Sequence, residues 1–314
     1  MPVVDTCGLP AGAGQAGSIG SVALQIHCTG RGAPTVVVET GLEEFAFDWT
    51  LVQQRVEKFT RICTYDRGGY GGSELDAAPR TFAQINLELH ELLRAAGEKP
   101  PYVLVGHSFG GPVIRNYAVR YPEEVAGMVL AESVAEHQPM ILGGKPTLLK
   151  DFASGKAIPE PTLQTSKLHP EGARPGGPLA RDYAVLPSPL QQLHQRFAGA
   201  AALEAAENSQ REWSSEYLAQ WDRQPQRGLL GTKPLLVITR AESGYDASPN
   251  YSLQQVDGQR LRAQTEQLQL SSNSAQWVVP FGHDLHLEAP GIVAAAIHVV
   301  VESARRHLPL ANLN

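Results

Sequence analysis

The chain has 314 residues, 42% of them hydrophobic and 18% charged, enough apolar content for a substantial core in one large domain or in a domain carrying an insertion. A net charge of -6, from 26 basic and 32 acidic residues, gives no electrostatic reason to expect binding to nucleic acid or to an anionic membrane. The longest apolar stretch, Ile292 to Val301, is interrupted by His298 and too short to span a bilayer.

Residues 1–20 read as a flexible leader. They lack the apolar core of a signal peptide, so the chain as given reads as cytoplasmic, and as exported only where a signal has been removed upstream. Gly12 to Gly17 match G-x-G-x-x-G, but no strand precedes them and no apolar helix follows, so the context of a dinucleotide site is missing. Strand-like runs then recur at Val22–Cys28, Thr35–Glu39, Arg61–Tyr65, Tyr102–Val105, Gly127–Ala131, Leu235–Thr239 and Gln276–Val279. Helix candidates lie between and after them at Trp49–Lys58, Thr81–Ala96, Pro112–Tyr121, Ser252–Leu270 and Gly291–His307. This alternation predicts an α/β fold, a mostly parallel sheet with helices on both faces. The rhythm breaks between Val134 and Arg227, where no clear strand is visible and Pro189 to Trp221 reads as amphipathic helix. Such an insertion reads as a helical cap or lid (134–227) on a core of 21–133 and 228–314. Of the cysteines Cys7, Cys28 and Cys63, none has zinc-ligand spacing. Cys28 and Cys63 sit in strand-like runs, as two buried thiols or, in an exported protein, a cross-strand disulfide.

Chemistry concentrates at Gly106-His107-Ser108-Phe109-Gly110-Gly111, which follows the apolar run Tyr102–Val105 and precedes a helix opening at Pro112. Strand, G-x-S-x-G and helix together make a nucleophile elbow, a turn so sharp that only glycines fit beside it. The alternative is a glycine-rich turn with an idle serine. A serine hydroxyl must lose a proton as it attacks, so an imidazole backed by a carboxylate is required nearby. His283, after the last strand, is the candidate base and His286 its competitor. The string from His283 to Glu288 could also suggest metal ligands, but no second contributing segment is visible. Asp66-Arg67 reads as bracing for the glycine-rich turn after its strand.

On these residues, together with Val36 to Leu42, Tyr65 to Ser73 and Gly282 to Pro290, the chain resembles the α/β-hydrolases. The resemblance implies an eight-stranded, mostly parallel sheet flanked by helices, with Ser108 as nucleophile and His283 as base. It also implies an oxyanion hole formed by the backbone N–H groups of Leu42 and Phe109, each such donor worth about 3 kcal/mol in the transition state. Thr40-Gly41 stands where many relatives have His-Gly, which leaves open what braces that loop. The commoner pattern places the acid just after Leu235–Thr239, where this chain has a serine, with Glu242 and Asp246 nearby. A minority of the superfamily, including haloalkane dehalogenases and some lactonases, places it one strand earlier, which selects Glu132. That buried carboxylate would also need a partner.

The expected activity is hydrolysis of an apolar carboxylic ester or lactone through an acyl-enzyme, on a small-molecule substrate, with no metal or organic cofactor. Serine at the elbow argues against dehalogenase and epoxide-hydrolase chemistry, which need a carboxylate nucleophile. Peptidase or C–C bond hydrolase activity with the same triad, or non-catalytic ligand binding, are the rivals. Leu42, Phe45, Phe47 and Trp49 line an acyl pocket or are ordinary core. Leu193, Phe197, Trp213, Tyr217 and Trp221 close over a ligand or pack the insertion onto the body. Oligomeric state is left open.

Overall fold

Along the central strands alternate side chains point to opposite faces, and here both sets are apolar, which is the pattern of a sheet buried on two sides. Val36, Val38, Val103, Val105, Val129, Ala131, Leu236 and Ile238 pack on one face against helices α1 (Thr50–Val56) and α8 (Pro290–Arg306). Val37, Leu104, Met128, Leu130, Leu235 and Val237 pack on the other, against α2 (Phe82–Ala95) and α3 (Gly110–Arg120). The computed structural model of the protein describes residues 15–19, 22–142, 145–149, 182–224, 226–241, 243–245 and 247–312.

The sheet has eight strands: β1 (Gln15–Ile19), β2 (Val22–Thr29), β3 (Thr35–Glu39), β4 (Ile62–Tyr65), β5 (Tyr102–His107), β6 (Val125–Ala131), β9 (Leu235–Arg240) and β10 (Ser274–Val279). Their order is β1-β2-β4-β3-β5-β6-β9-β10, with β2 antiparallel to both of its neighbours, β1 and β4, and every other pair parallel. The carboxyl ends of β3, β5, β6, β9 and β10 therefore emerge along one edge.

Two expectations are corrected. Part of the presumed leader, Gln15–Ile19, is an edge strand held by its ladder with β2; residues 1–14, 20 and 21 lie outside the described residues. The insertion also contains a strand pair, β7 (Pro139–Leu142) with β8 (Lys145–Leu148), before the helices α4 (Ser188–Phe197) and α5 (Ala201–Arg223). Among the described residues the remaining α-helices are α6 (Leu253–Glu266) and the short α7 (Leu285–Glu288).

Cys28 and Cys63 are register partners across β2 and β4, and their sulfurs are bonded. Among the described residues no helix is long and apolar enough to cross a membrane.

Candidate active site

The elbow forms because nothing larger than hydrogen fits beside it. A Cβ on Gly110 would lie 2.7 Å from Thr40 O and from the Glu39 carbonyl carbon, and one on Gly106 would lie 2.8 Å from the Gly110 carbonyl and Gly111 Cα. Ser108 itself takes φ of 49°, a conformation that non-glycine residues adopt only where the surroundings impose it. Its backbone is fastened on both sides, its N–H to Ala131 O at 3.2 Å and its carbonyl to the Val134 N–H at 3.0 Å. Fixing the turn this way leaves the Ser108 side chain partly exposed to a cavity of about 220 Å3.

That cavity is shared. Ser108, Phe109, Leu42 and His283 all line it, with Phe82, Val134, Met140, Leu149 and Leu218 forming much of the apolar wall. Phe45, Phe47 and Trp49 are buried core instead. Leu193 and Phe197 join Phe45 and Phe47, so α4 is packed onto the body by them. Tyr217 and Trp221 pack on Phe82, and Leu218 of the same helix reaches the cavity wall.

Glu132 stands one residue past β6, next to the β5 elbow, and also has a positive φ, 44°. It is 2% exposed. Its Oε2 lies 3.6 Å from His283 Nδ1, an ion-pair separation longer than a hydrogen bond. Ring and carboxylate of this kind commonly close up when substrate binds. Two further partners were not anticipated. The Arg240 backbone N–H donates to Glu132 Oε1 at 2.7 Å, while Arg240 Nε and Arg260 Nη1 lie 3.2 and 3.4 Å from its oxygens. Burial pushes the Glu132 carboxyl up, but Arg240, His283 and Arg260 outweigh it and hold it at about 2. Burial also takes His283 down to about 4, assisted by the nearby His107 and Arg240 charges and opposed by Glu132. His283 is thus a neutral imidazole through the neutral range. Its loop is clamped by Glu288, whose carboxylate accepts the N–H groups of Gly282 at 2.7 Å and Asp284 at 3.2 Å. Glu242 and Asp246 lie outside the described residues.

His286 does not share the cavity. It is fully buried, stacked on Trp49 with centroids 4.9 Å apart, neither ring nitrogen has a hydrogen-bond partner, and burial drives it down to about 3.

Bracing of the Thr40-Gly41 loop comes from residues distant in sequence. Arg67 donates to Thr40 O at 2.7 Å, to Gly41 O at 2.6 Å and to Glu39 at 2.7 Å, and reaches Gln210 of α5 at 3.0 Å. Asp66 instead holds the turns around it, accepting from the Ala46 N–H at 2.8 Å. Glu44 accepts the Gly41 N–H at 2.9 Å and contacts His107 Nδ1 at 2.5 Å. A Cβ built on Gly41 would sit 3.2 Å from Ser108 Cβ, so this loop abuts the elbow. Glu44, His107, Asp284 and His286 bring donor atoms within 4.8 Å of one another, a composition that could hold a metal ion. Both nitrogens of His107 already face oxygens, however, Glu44 Oε1 and the His283 carbonyl, which leaves that imidazole no lone pair to offer.

A sequence profile described as the alpha/beta hydrolase fold matches residues 34–250. The uncharacterized protein YqjL of Bacillus subtilis (strain 168) is 27% identical over 278 residues, 87% of this chain and 86% of that one. Among solved structures, a serine hydrolase involved in carbazole degradation, the CarC enzyme, superposes with a TM-score of 0.60 at 16% identity, over 92% of this chain and 98% of that one. The epoxide hydrolase CorEH does so with a TM-score of 0.61 at 15% identity, over 90% and 96%. At such identities the solved structures speak for the fold.

Proposed function

As this chain belongs to the α/β-hydrolase fold family, we propose that it hydrolyses an apolar carboxylic ester or lactone through an acyl-enzyme on Ser108. The observation that carries this reading is that Ser108 and His283, far apart in sequence, line one cavity, with the buried Glu132 carboxylate behind His283 Nδ1. In the first step Ser108 Oγ attacks the carbonyl carbon and His283 takes its proton. Glu132 keeps the ring in the tautomer that presents a free nitrogen to the serine and offsets the charge as it forms. The backbone N–H groups of Leu42 and Phe109 receive the developing oxyanion. His283 then returns the proton to the departing alkoxide, and the same ring activates water to release the acid. None of these steps calls for a cofactor.

Residue type separates this reading from epoxide hydrolysis. Opening an epoxide through a covalent ester needs a carboxylate nucleophile, and the elbow here presents an alcohol. The preponderance of Phe82, Val134, Met140, Leu149 and Leu218 around the cavity favours an apolar acyl group over a charged one.

A chromogenic short-chain ester, an aminoacyl anilide and a lactone panel test the proposal together. Wild type should hydrolyse an ester or lactone, and Ser108→Ala should lose at least about 1000-fold in kcat and no longer be labelled by a fluorophosphonate probe. Anilide cleavage without ester cleavage would move the assignment to a peptidase. Labelling and turnover unchanged in Ser108→Ala would end it.

A further inference from the structure

His107, the variable residue of the G-x-S-x-G motif, has no part in the chemistry above, yet it is fully buried between three pieces of the candidate site. It directly precedes Ser108. Its Nδ1 lies 2.5 Å from Glu44 Oε1, and its Nε2 lies 2.8 Å from the carbonyl oxygen of His283. Glu44, 3% exposed, uses its second oxygen to accept the Gly41 N–H at 2.9 Å and the indole N–H of Trp49 at 3.3 Å.

We infer that His107 and Glu44 form a permanent buried ion pair that ties the oxyanion loop, the elbow and the His283 loop together and keeps His283 neutral as the base. This inference rests on the proposed roles of Ser108 and His283. An imidazole whose two nitrogens both face oxygen acceptors satisfies them only by donating from both, which makes it a cation. A carboxylate accepting from a backbone N–H and an indole N–H besides is stabilised as the anion. The groups around His107 are Glu44 from the loop after β3, Asp284 and the His283 carbonyl from the loop after β10, and His286 of α7. Neither imidazole neighbour competes for the proton, since His283 and His286 are both depressed, to about 4 and about 3. Burial opposes the charge on His107, but Glu44 chiefly overcomes it and raises the ring to about 9.

The cation acts on His283 through space. The two rings are 4.7 Å apart between centroids, so a positive His107 opposes a second positive charge on His283, as does Arg240, while Glu132 favours it. The pair therefore does two things: it sets the distance between the Gly41 loop and the His283 backbone, and it lowers the pH at which the base is lost.

Imidazole 15N correlation spectra of the wild-type protein across the neutral range test the charge directly. Both His107 nitrogens should carry protons there, and a neutral ring with one bare nitrogen would overturn the inference. His107→Gln and Glu44→Gln test the consequence. In His107→Gln the His283 titration and the acid limb of kcat/KM should move to higher pH by about one. Its kcat should fall by up to about 100-fold, with KM little changed. In Glu44→Gln, His107 should become neutral near pH 7. A His283 titration in His107→Gln superimposable on wild type would overturn the inference even if kcat fell. The spectra need no turnover: a protein that hydrolyses no ester would sink the serine-hydrolase reading and still leave the His107 charge measured.

Discussion

At the scale of single residues, the candidate base is governed by what surrounds it. Burial and neighbouring cations hold His283 down to about 4, where an ordinary imidazole would titrate near 6.5. A general base works in its deprotonated form, so kcat/KM should stay high on acidification and fall only as pH drops through about 4. A pH–rate profile with a chromogenic ester checks this, and an acid limb at 6 or above would contradict it. Glu132 carries more than one duty, because Arg240 and Arg260 also lean on it. Glu132→Gln keeps the shape but loses the charge and the tautomer preference. It should lower kcat by about 1000- to 10000-fold with modest change in KM, and it should destabilise the fold too, since two buried arginines lose their shared anion. Measuring kcat beside thermal unfolding separates the two effects.

At the scale of elements, the strand-to-helix turn at Ser108 is held by close approach rather than by side-chain attraction. The β3 end passes so near Gly110 that a methyl group there would meet the Glu39 and Thr40 carbonyls. Gly110→Ala should therefore fold poorly, or fold with a lowered Tm and kcat reduced at least about 100-fold through displacement of the elbow. Unfolding scans and fluorophosphonate labelling of the same sample report both. The adjoining elements were readable because their signals are local: β5 and β6 are continuous apolar runs, and α2 carries Thr81 as an N-cap, its hydroxyl accepting the Gln84 N–H at 3.0 Å. The elements that escaped have weak signals of their own. β1 is a short run at the sheet edge, and β7 opens with a proline; both exist through pairing with a neighbouring strand, which hydropathy along one segment does not register.

For the whole molecule, the Cys28–Cys63 bond joins β2 to β4 across 35 residues of chain. A crosslink closing a loop of that length restricts the unfolded chain and contributes about 4 kcal/mol. Cys28→Ser with Cys63→Ser should accordingly lower Tm under oxidising conditions, and reductant should lower wild type towards the variant. An unchanged Tm in both experiments would show the bond to be absent or without consequence. Neither cysteine lines the cavity, so ester turnover at a temperature well below Tm should hardly change.

The alternation of strand and helix, the glycine elbow and the position of Ser108 were determined by the sequence alone, because each depends on sterics and hydrophobic period among residues close along the chain. His283 could be singled out from its place after the last strand. Tertiary structure alone decided which further charges meet: Glu132 with Arg240 and Arg260, Arg67 with the Thr40-Gly41 loop, and His107 with Glu44 across 63 positions. Whether a buried carboxylate or imidazole keeps its charge depends on what excludes water from it and what stands opposite in space. Spacing along the chain carries no record of either.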